Sequence, residues 1–129
     1  QVTVAAPYVP TRDELLADAD LATCIEQYNA SGQDPAVDVE SSATSSLVSI
    51  AGQCATFRLF VAAATAAGVD LTPDTFGAAA DSLGELTLPG VPFGSLGPDK
   101  HSVGDAIGIY TWDADSATMV PTGAAIRVD

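Results

Sequence analysis

The chain has 129 residues, 47% of them apolar, and carries 17 Asp and Glu against four Lys and Arg, for a formal net charge of −13. This length bounds a single domain with room for a buried core, and the apolar share excludes global disorder. The charge repels phosphate backbones and excludes nucleic acid as a partner; it suits the solvated acidic surface of an exported protein.

Residues 2–6, VTVAA, end at Pro7 and read as a short buried strand. They have neither the basic region nor the long apolar core of a signal peptide, so export would depend on sequence removed or lying outside these residues. After the loop Pro7-Tyr8-Val9-Pro10, Thr11 and Glu14 have the spacing of a capping box. One helix is expected from there, carrying Leu15, Leu21, Cys24, Ile25 and Tyr28 and ending at Gly32. Strand, short loop and helix make half of a βαβ unit. Residues 33–44 contain Pro35 and a Ser/Thr/Asp/Glu-rich run without helical period, and read as a loop or hinge passage.

Residues 45–68, SSLVSIAGQCATFRLFVAAATAAG, form the longest periodic segment. Leu47, Ile50, Cys54, Phe57, Val61 and Ala64 recur at spacings of three and four, and Val48, Ala51, Ala55, Leu59, Ala62 and Ala66 make a second row beside them. Arg58 is the only charge in the span. A helix about 36 Å long and apolar around most of its circumference has to be covered on several sides. We read it as the central helix of an α/β layer. Its apolar run at residues 61–69 is too short for a membrane span and meets Asp70 at once.

Thr72 as N-cap and Pro73 in the first turn open a further helix with Phe76, Ala79, Ala80 and Leu83 as its stripe and Gly84 at its stop. Residues 85–88 read as a short strand, 90–104 as a long Gly/Pro/Ser-rich loop, and 105–112 as a strand. A turn at 113–116 returns residues 117–120 as a hairpin partner, and 124–128 suit one more strand.

Few residues carry chemistry. Asp113 and Asp115 resemble the opening of a calcium loop but lack its third acid, its Gly and its closing Glu, so they read as a turn. His101 is the only histidine; Ser95 or Ser102 would have to serve as its nucleophile, with no flanking motif, and it reads as a surface residue. Gly94, Gly97 and Gly104 do not have phosphate-loop spacing. The acid pairs Asp13 with Glu14 and Asp18 with Asp20 read as a solvated helix face, and Asn29-Ala30-Ser31 is a bare glycosylation triplet. No catalytic residue, cofactor or metal site is expected. Cys24 and Cys54 would be two buried thiols in a reducing compartment and a disulfide in an exported protein; the disulfide is favoured. Tyr8 stands just past the carboxyl end of a strand, where open α/β sheets hold ligands, and is the one ligand-facing candidate, against the alternative that it packs on its own loop.

Taken together, CATFRLFVAAATAAGVDLTPDTFGAAADSLGEL and PFGSLGPDKHSVGDAIGIYTWD resemble the C-terminal part of type I periplasmic-binding-protein-like receptors. These are the substrate-binding components of ABC transporters of the branched-chain amino acid and amide class. The likeness lies in Ala66-Ala67-Gly68, the capped helix from Thr72, the Phe93 to His101 phrase and the strand ending in Trp112-Asp113; VTVAAPYVP and the Cys24 and Cys54 pair also agree with it.

The resemblance implies a partial three-layer α/β fold with three main helices, a short sheet and a C-terminal β-hairpin. It implies a single fragment over 1–129, in which 1–32 supply a strand and helix of one lobe and 33–44 a hinge passage. Residues 45–84 would be the helical pair of the other lobe, and 85–129 a loop and the C-terminal strands. The implied function is non-enzymatic binding of a small polar solute such as an amino acid, with a membrane permease as partner. The implied location is extracellular or periplasmic, with lipid anchoring through preceding sequence. Such receptors have two lobes and are much longer than this chain, so these residues alone would leave apolar faces open and would self-associate or exchange elements between copies. The alternative is an extracellular structural or interaction domain without a small ligand; an enzyme would rest on His101 alone.

Overall fold

A computed structural model describes residues 2–32 and 35–128. The chain is a mixed α/β protein, with four helices and two small antiparallel sheets among the described residues. Strand β1 (Thr3–Pro7) leads through a tight loop into α1 (Arg12–Ala17), which opens on the expected capping box between Thr11 and Glu14. The single helix expected up to Gly32 is two. Asp18 has an extended backbone that ends α1, while its side chain accepts the amide of Leu21 and so caps α2 (Ala19–Ala30). The capping preference of Asp outweighs helical continuity because the same carboxylate has a second use, described below.

Arg12 organises the passage that follows α2. Its guanidinium donates to the carbonyls of Ser42 (2.5 Å), Val39 (2.9 Å) and Glu40 (3.0 Å). Gln33 and Asp34, the first residues of the expected hinge passage, lie outside the described residues. Helix α3 (Thr44–Ala67) is unbroken over 24 residues, as its period requires. It is joined to α2 by a disulfide between Cys24 and Cys54, with Cα atoms 6.3 Å apart, a kind of bond commoner in oxidising compartments than in reducing ones. Among the described residues the main helices share a small buried apolar cluster, Leu15, Leu21, Ile25, Leu47, Ala51 and Cys54. Although the run at residues 61–69 is short, α3 as a whole is long and apolar enough to cross a membrane by length and composition. Here it serves as a core helix that is covered incompletely. Only 28% of its most apolar stretch is buried, and Phe57, Phe60 and Val61 face outward. Helix α4 (Pro73–Asp81), capped by Thr72, covers one flank, with the rings of Phe60 and Phe76 5.6 Å apart.

The short strand read at residues 85–88 is β2 (Gly84–Leu88), and the region read as a long loop returns it as a hairpin partner, β3 (Val91–Leu96), turning at Pro89-Gly90. Pro92 and Gly94 hide the strand period in the sequence; Gly94 sits between the backbones of Leu86 and Val103, where Ser95 N donates to Val103 O at 3.1 Å and Asp105 N to Phe93 O at 2.9 Å. Strand β4 (Ala106–Asp113) is the axis of the second sheet. It pairs with β1 on one side, from Thr3 opposite Thr111 to Pro7 opposite Ile107, and with β5 (Thr118–Pro121) and β6 (Ile126–Arg127) on the other. All pairings are antiparallel, so the half βαβ unit read at the N-terminus is not completed by a parallel crossover. Strand β1 is also mostly exposed rather than buried, as are Trp112 and Met119 on the same sheet.

Gly90 shows how tightly the hairpin turn meets the helices. Its φ is +68°, and an added Cβ would lie 2.9 Å from the Cβ of Ala51 and 3.7 Å from Leu15. Gly90→Ala is therefore expected to cost about 1–3 kcal/mol from crowding and backbone strain, read as a lower urea midpoint with unchanged slope. Replacing Cys24 and Cys54 together by Ala is expected to remove roughly 3–4 kcal/mol of stability, since the bridge closes a 30-residue separation. An unchanged midpoint in the double variant would refute that.

Candidate functional site

The carboxyl end of β1 delivers Tyr8. Its amide extends the ladder by donating to Ala106 O at 3.1 Å, which fixes the backbone before the chain turns into α1. Its phenol lies 2.5 and 2.6 Å from the two carboxylate oxygens of Glu14 and donates to that group. Glu14 Oε2 also accepts from the Thr11 amide at 2.7 Å and the Thr11 hydroxyl at 2.8 Å. The capping box thus doubles as the mount that holds the tyrosine ring. Behind it the buried Tyr110 hydroxyl accepts the Val9 amide at 2.9 Å, so the loop 7–10 is held from both sides.

Tyr8 is half-buried and stands on the wall between two hollows. One, of about 280 Å³, is lined by Tyr8, Pro10, Glu14, Leu15, Asp18 and the Gly90-Val91-Pro92 turn. The other, of about 480 Å³, shares that turn and Tyr8 and runs over Ala5, Ala6, Pro7 and Ile107 to Ser102. The ring's surroundings push the Tyr8 phenol up to about 12, first through desolvation and then through the hydrogen bond and negative charge of Glu14. Reciprocally, the Tyr8 hydrogen bond and the Thr11 amide hold the Glu14 carboxyl below its ordinary value. The arrangement offers a neutral ring with a committed hydroxyl, suited to stacking and unsuited to proton transfer at neutral pH.

Other residues singled out in the sequence are placed apart. His101 is exposed, and among the described residues no hydrogen bond joins it to Ser95 or Ser102. Ser95 is engaged elsewhere: its hydroxyl donates to Asp105 Oδ2 at 2.6 Å, and Lys100 Nζ donates to its Oγ at 2.8 Å and its carbonyl at 2.7 Å. Lys100 also pairs with Asp105, which is buried. The Lys100 and Ser95 hydrogen bonds hold the Asp105 carboxyl below the ordinary carboxylate range. Their contribution is therefore present above that range and is lost as pH falls beneath it. This cluster closes the end of the β2–β3 ribbon, and sequence reading missed it because Ser95, Lys100 and Asp105 share no local period.

Asp113 accepts the Asp115 amide (3.0 Å) and the Ser116 hydroxyl (2.8 Å), as a turn residue does. The acids Asp18 and Asp20 are not merely solvated. Asp18 Oδ1 accepts the Leu21 amide at 2.9 Å and Oδ2 the Gly90 amide at 2.8 Å, while Asp20 pairs with Arg58. Asn29 is likewise occupied: its Nδ2 donates to Val37 O at 2.9 Å and its Oδ1 accepts the Val37 amide at 2.8 Å. Comparison with protein-family models, with curated proteins and with solved structures found no match.

The high tyrosine titration gives a direct check. Of the three tyrosines, the component near pH 12 in a spectrophotometric titration is expected to vanish in Tyr8→Phe. In Glu14→Gln, which keeps a capping side chain, it is expected to move toward 10 without reaching it, because desolvation remains. With a raised folded value, the Tyr8 contribution to stability is intact below about 10 and lost as pH climbs through about 12.

Proposed function

We propose that the chain is a non-catalytic solute-binding module, part of a two-lobed receptor of the ABC-importer type, in which Tyr8 faces a small polar solute such as an amino acid. The observation that carries this reading is the position of Tyr8 at the end of β1, fixed by Glu14 and standing between two open hollows. Its family basis is the resemblance in the segments around Ala66-Ala67-Gly68 and Phe93 to Asp113. The uncovered flank of α3 and the exposed residues of the β1–β4 sheet agree with a second lobe supplying the missing surface. In this reading the finer architecture is a partial periplasmic-binding-protein-like fold, exported, with the permease as partner and the solute held by closure of two lobes. The competing reading, an extracellular structural domain without a ligand, would be favoured by apolar faces satisfied within the chain, and Phe57, Phe60 and Val61 are not.

One wall of a cleft supplies a fraction of the contacts, so the isolated chain should bind amino acids no tighter than about 1 mM. Titration with a panel of amino acids, followed by NMR, is expected to perturb Tyr8 and its Gly90–Pro92 neighbours for at least one ligand, and Tyr8→Ala should abolish the response. No perturbation around Tyr8 by any of them would overturn its assigned role. Micromolar binding by the chain alone would show the cleft to be complete in itself and overturn the two-lobe reading.

A further inference from the structure

The smaller of the two hollows beside Tyr8 has acceptors to spare and its donors are spent within the chain. Tyr8 N donates to Ala106 O (3.1 Å), Leu15 N to Thr11 O (3.1 Å) and Asp18 N to Leu15 O (3.3 Å). Glu14 N donates to Thr11 Oγ1 (3.3 Å) and Gly90 N to Asp18 Oδ2 (2.8 Å). Val91 stands opposite Leu88, the pair whose hydrogen bond closes a two-residue turn, and Pro10 and Pro92 have no N–H. The Tyr8 hydroxyl, the one side-chain donor of the lining, is given to Glu14.

The acceptors balance differently. A carboxylate has about four acceptor positions. Glu14 fills three of them, with the Tyr8 hydroxyl and the amide and hydroxyl of Thr11. Asp18 fills two, with the amides of Leu21 and Gly90. All these donors are neutral, and among the described residues no cation pairs with either group, whereas Asp20 and Asp105 are paired with Arg58 and Lys100. The Glu14 carboxyl is held below its ordinary value and is charged at neutral pH. Both carboxylates border a hollow of about 280 Å³, beside the Tyr8 ring.

We infer that this hollow takes the ammonium end of the solute, which makes the solute a small cationic amine whose carboxylate, where it has one, points away from Glu14 and Asp18. The inference rests on the receptor reading above and narrows its solute class. An ammonium brings three donors and the positive charge that the hollow lacks, and the Tyr8 ring adds cation–π attraction. A carboxylate entering the same space would give up water, meet like charge and find no free donor.

The test is an NMR titration of the 129-residue chain at about pH 6, where an α-amine is protonated. Three probes share one side chain: leucinamide is a monocation, leucine a zwitterion and N-acetylleucine an anion. Shifts at Tyr8, Gly90 and Val91 are expected at about five-fold lower concentration with leucinamide than with leucine, and are expected to be absent with N-acetylleucine. Glu14→Gln, which keeps a capping side chain, should shrink the leucinamide preference to about two-fold or less. A merely structural disturbance would instead weaken both ligands alike and leave their ratio unchanged. Asp74→Asn, which removes one charge from α4 outside the hollow, should also leave the ratio unchanged.

Four results would overturn the inference and leave the receptor reading standing. They are N-acetylleucine acting as strongly as leucinamide, leucinamide binding no tighter than leucine, a ratio unmoved by Glu14→Gln, and a ratio lowered equally by Asp74→Asn. Silence at Tyr8 with all three probes would overturn both.

Discussion

The carboxylate of Asp18 joins three parts of the chain that share no sequence neighbourhood. One oxygen takes the Leu21 amide, which would otherwise be an orphan donor in the first turn of α2, and the other takes the Gly90 amide at the tip of the β2–β3 hairpin. Its backbone, bent out of helical geometry, sets the angle between α1 and α2. That angle lets Leu15 and Leu21 face Ala51 and Leu47 of α3, and the hairpin tip then closes over Ala51. Removing the carboxylate would leave two amides without partners in a partly buried junction, each a larger cost than the bond itself gains over water.

The scarcity of positive charge has a structural counterpart. Arg12 is spent on the carbonyls of residues 39–42, Arg58 on Asp20, Lys100 on Asp105 and Ser95, and Arg127 on Glu85 and the face of Phe93. Three of the four link elements distant in sequence, α1 to the passage before α3, α3 to α2 and β6 to the ribbon, while Lys100 ties one end of the ribbon to itself. Of the other acids, Glu14, Asp18 and Asp113 accept from nearby amides and hydroxyls, and the repulsion among the exposed carboxylates keeps the surface well hydrated.

Local signals were legible and distant ones were not. Thr11 with Glu14, Thr72 with Pro73, and the three-four spacing of α3 describe interactions within a few residues, and the helices begin where these residues say. The strand at Ala106–Asp113 and its return at Thr118–Pro121 were likewise readable from β-forming residues and a short turn. The break at Asp18 was obscured by the helical spacing that continues across it: the residue caps α2 through Leu21, and its second bond is to an amide 72 residues away. Strand β3 was hidden by Pro92 and Gly94; the glycine answers to the backbones of Leu86 and Val103 approaching from either side, contacts that no local pattern announces. Helix α3 posed the opposite difficulty: with apolar residues on nearly every side, its pattern carries no information about which side is covered. The place of Tyr8 at a strand end is a local feature and so legible; its bond to Glu14 is not, because that carboxylate already has a role as a cap.

The amide of Asn29 has a consequence for any host able to attach sugars to nitrogen. Both ends of that side chain are occupied by the backbone of Val37, across a turn, with the nitrogen as donor. The folded chain therefore withholds the atom that a glycosyltransferase must reach, and the Asn29-Ala30-Ser31 triplet is open only until the clamp forms. A glycan at this position would record that modification came before folding, and the chain bearing it would reach its final state without the tie between the end of α2 and the approach to α3.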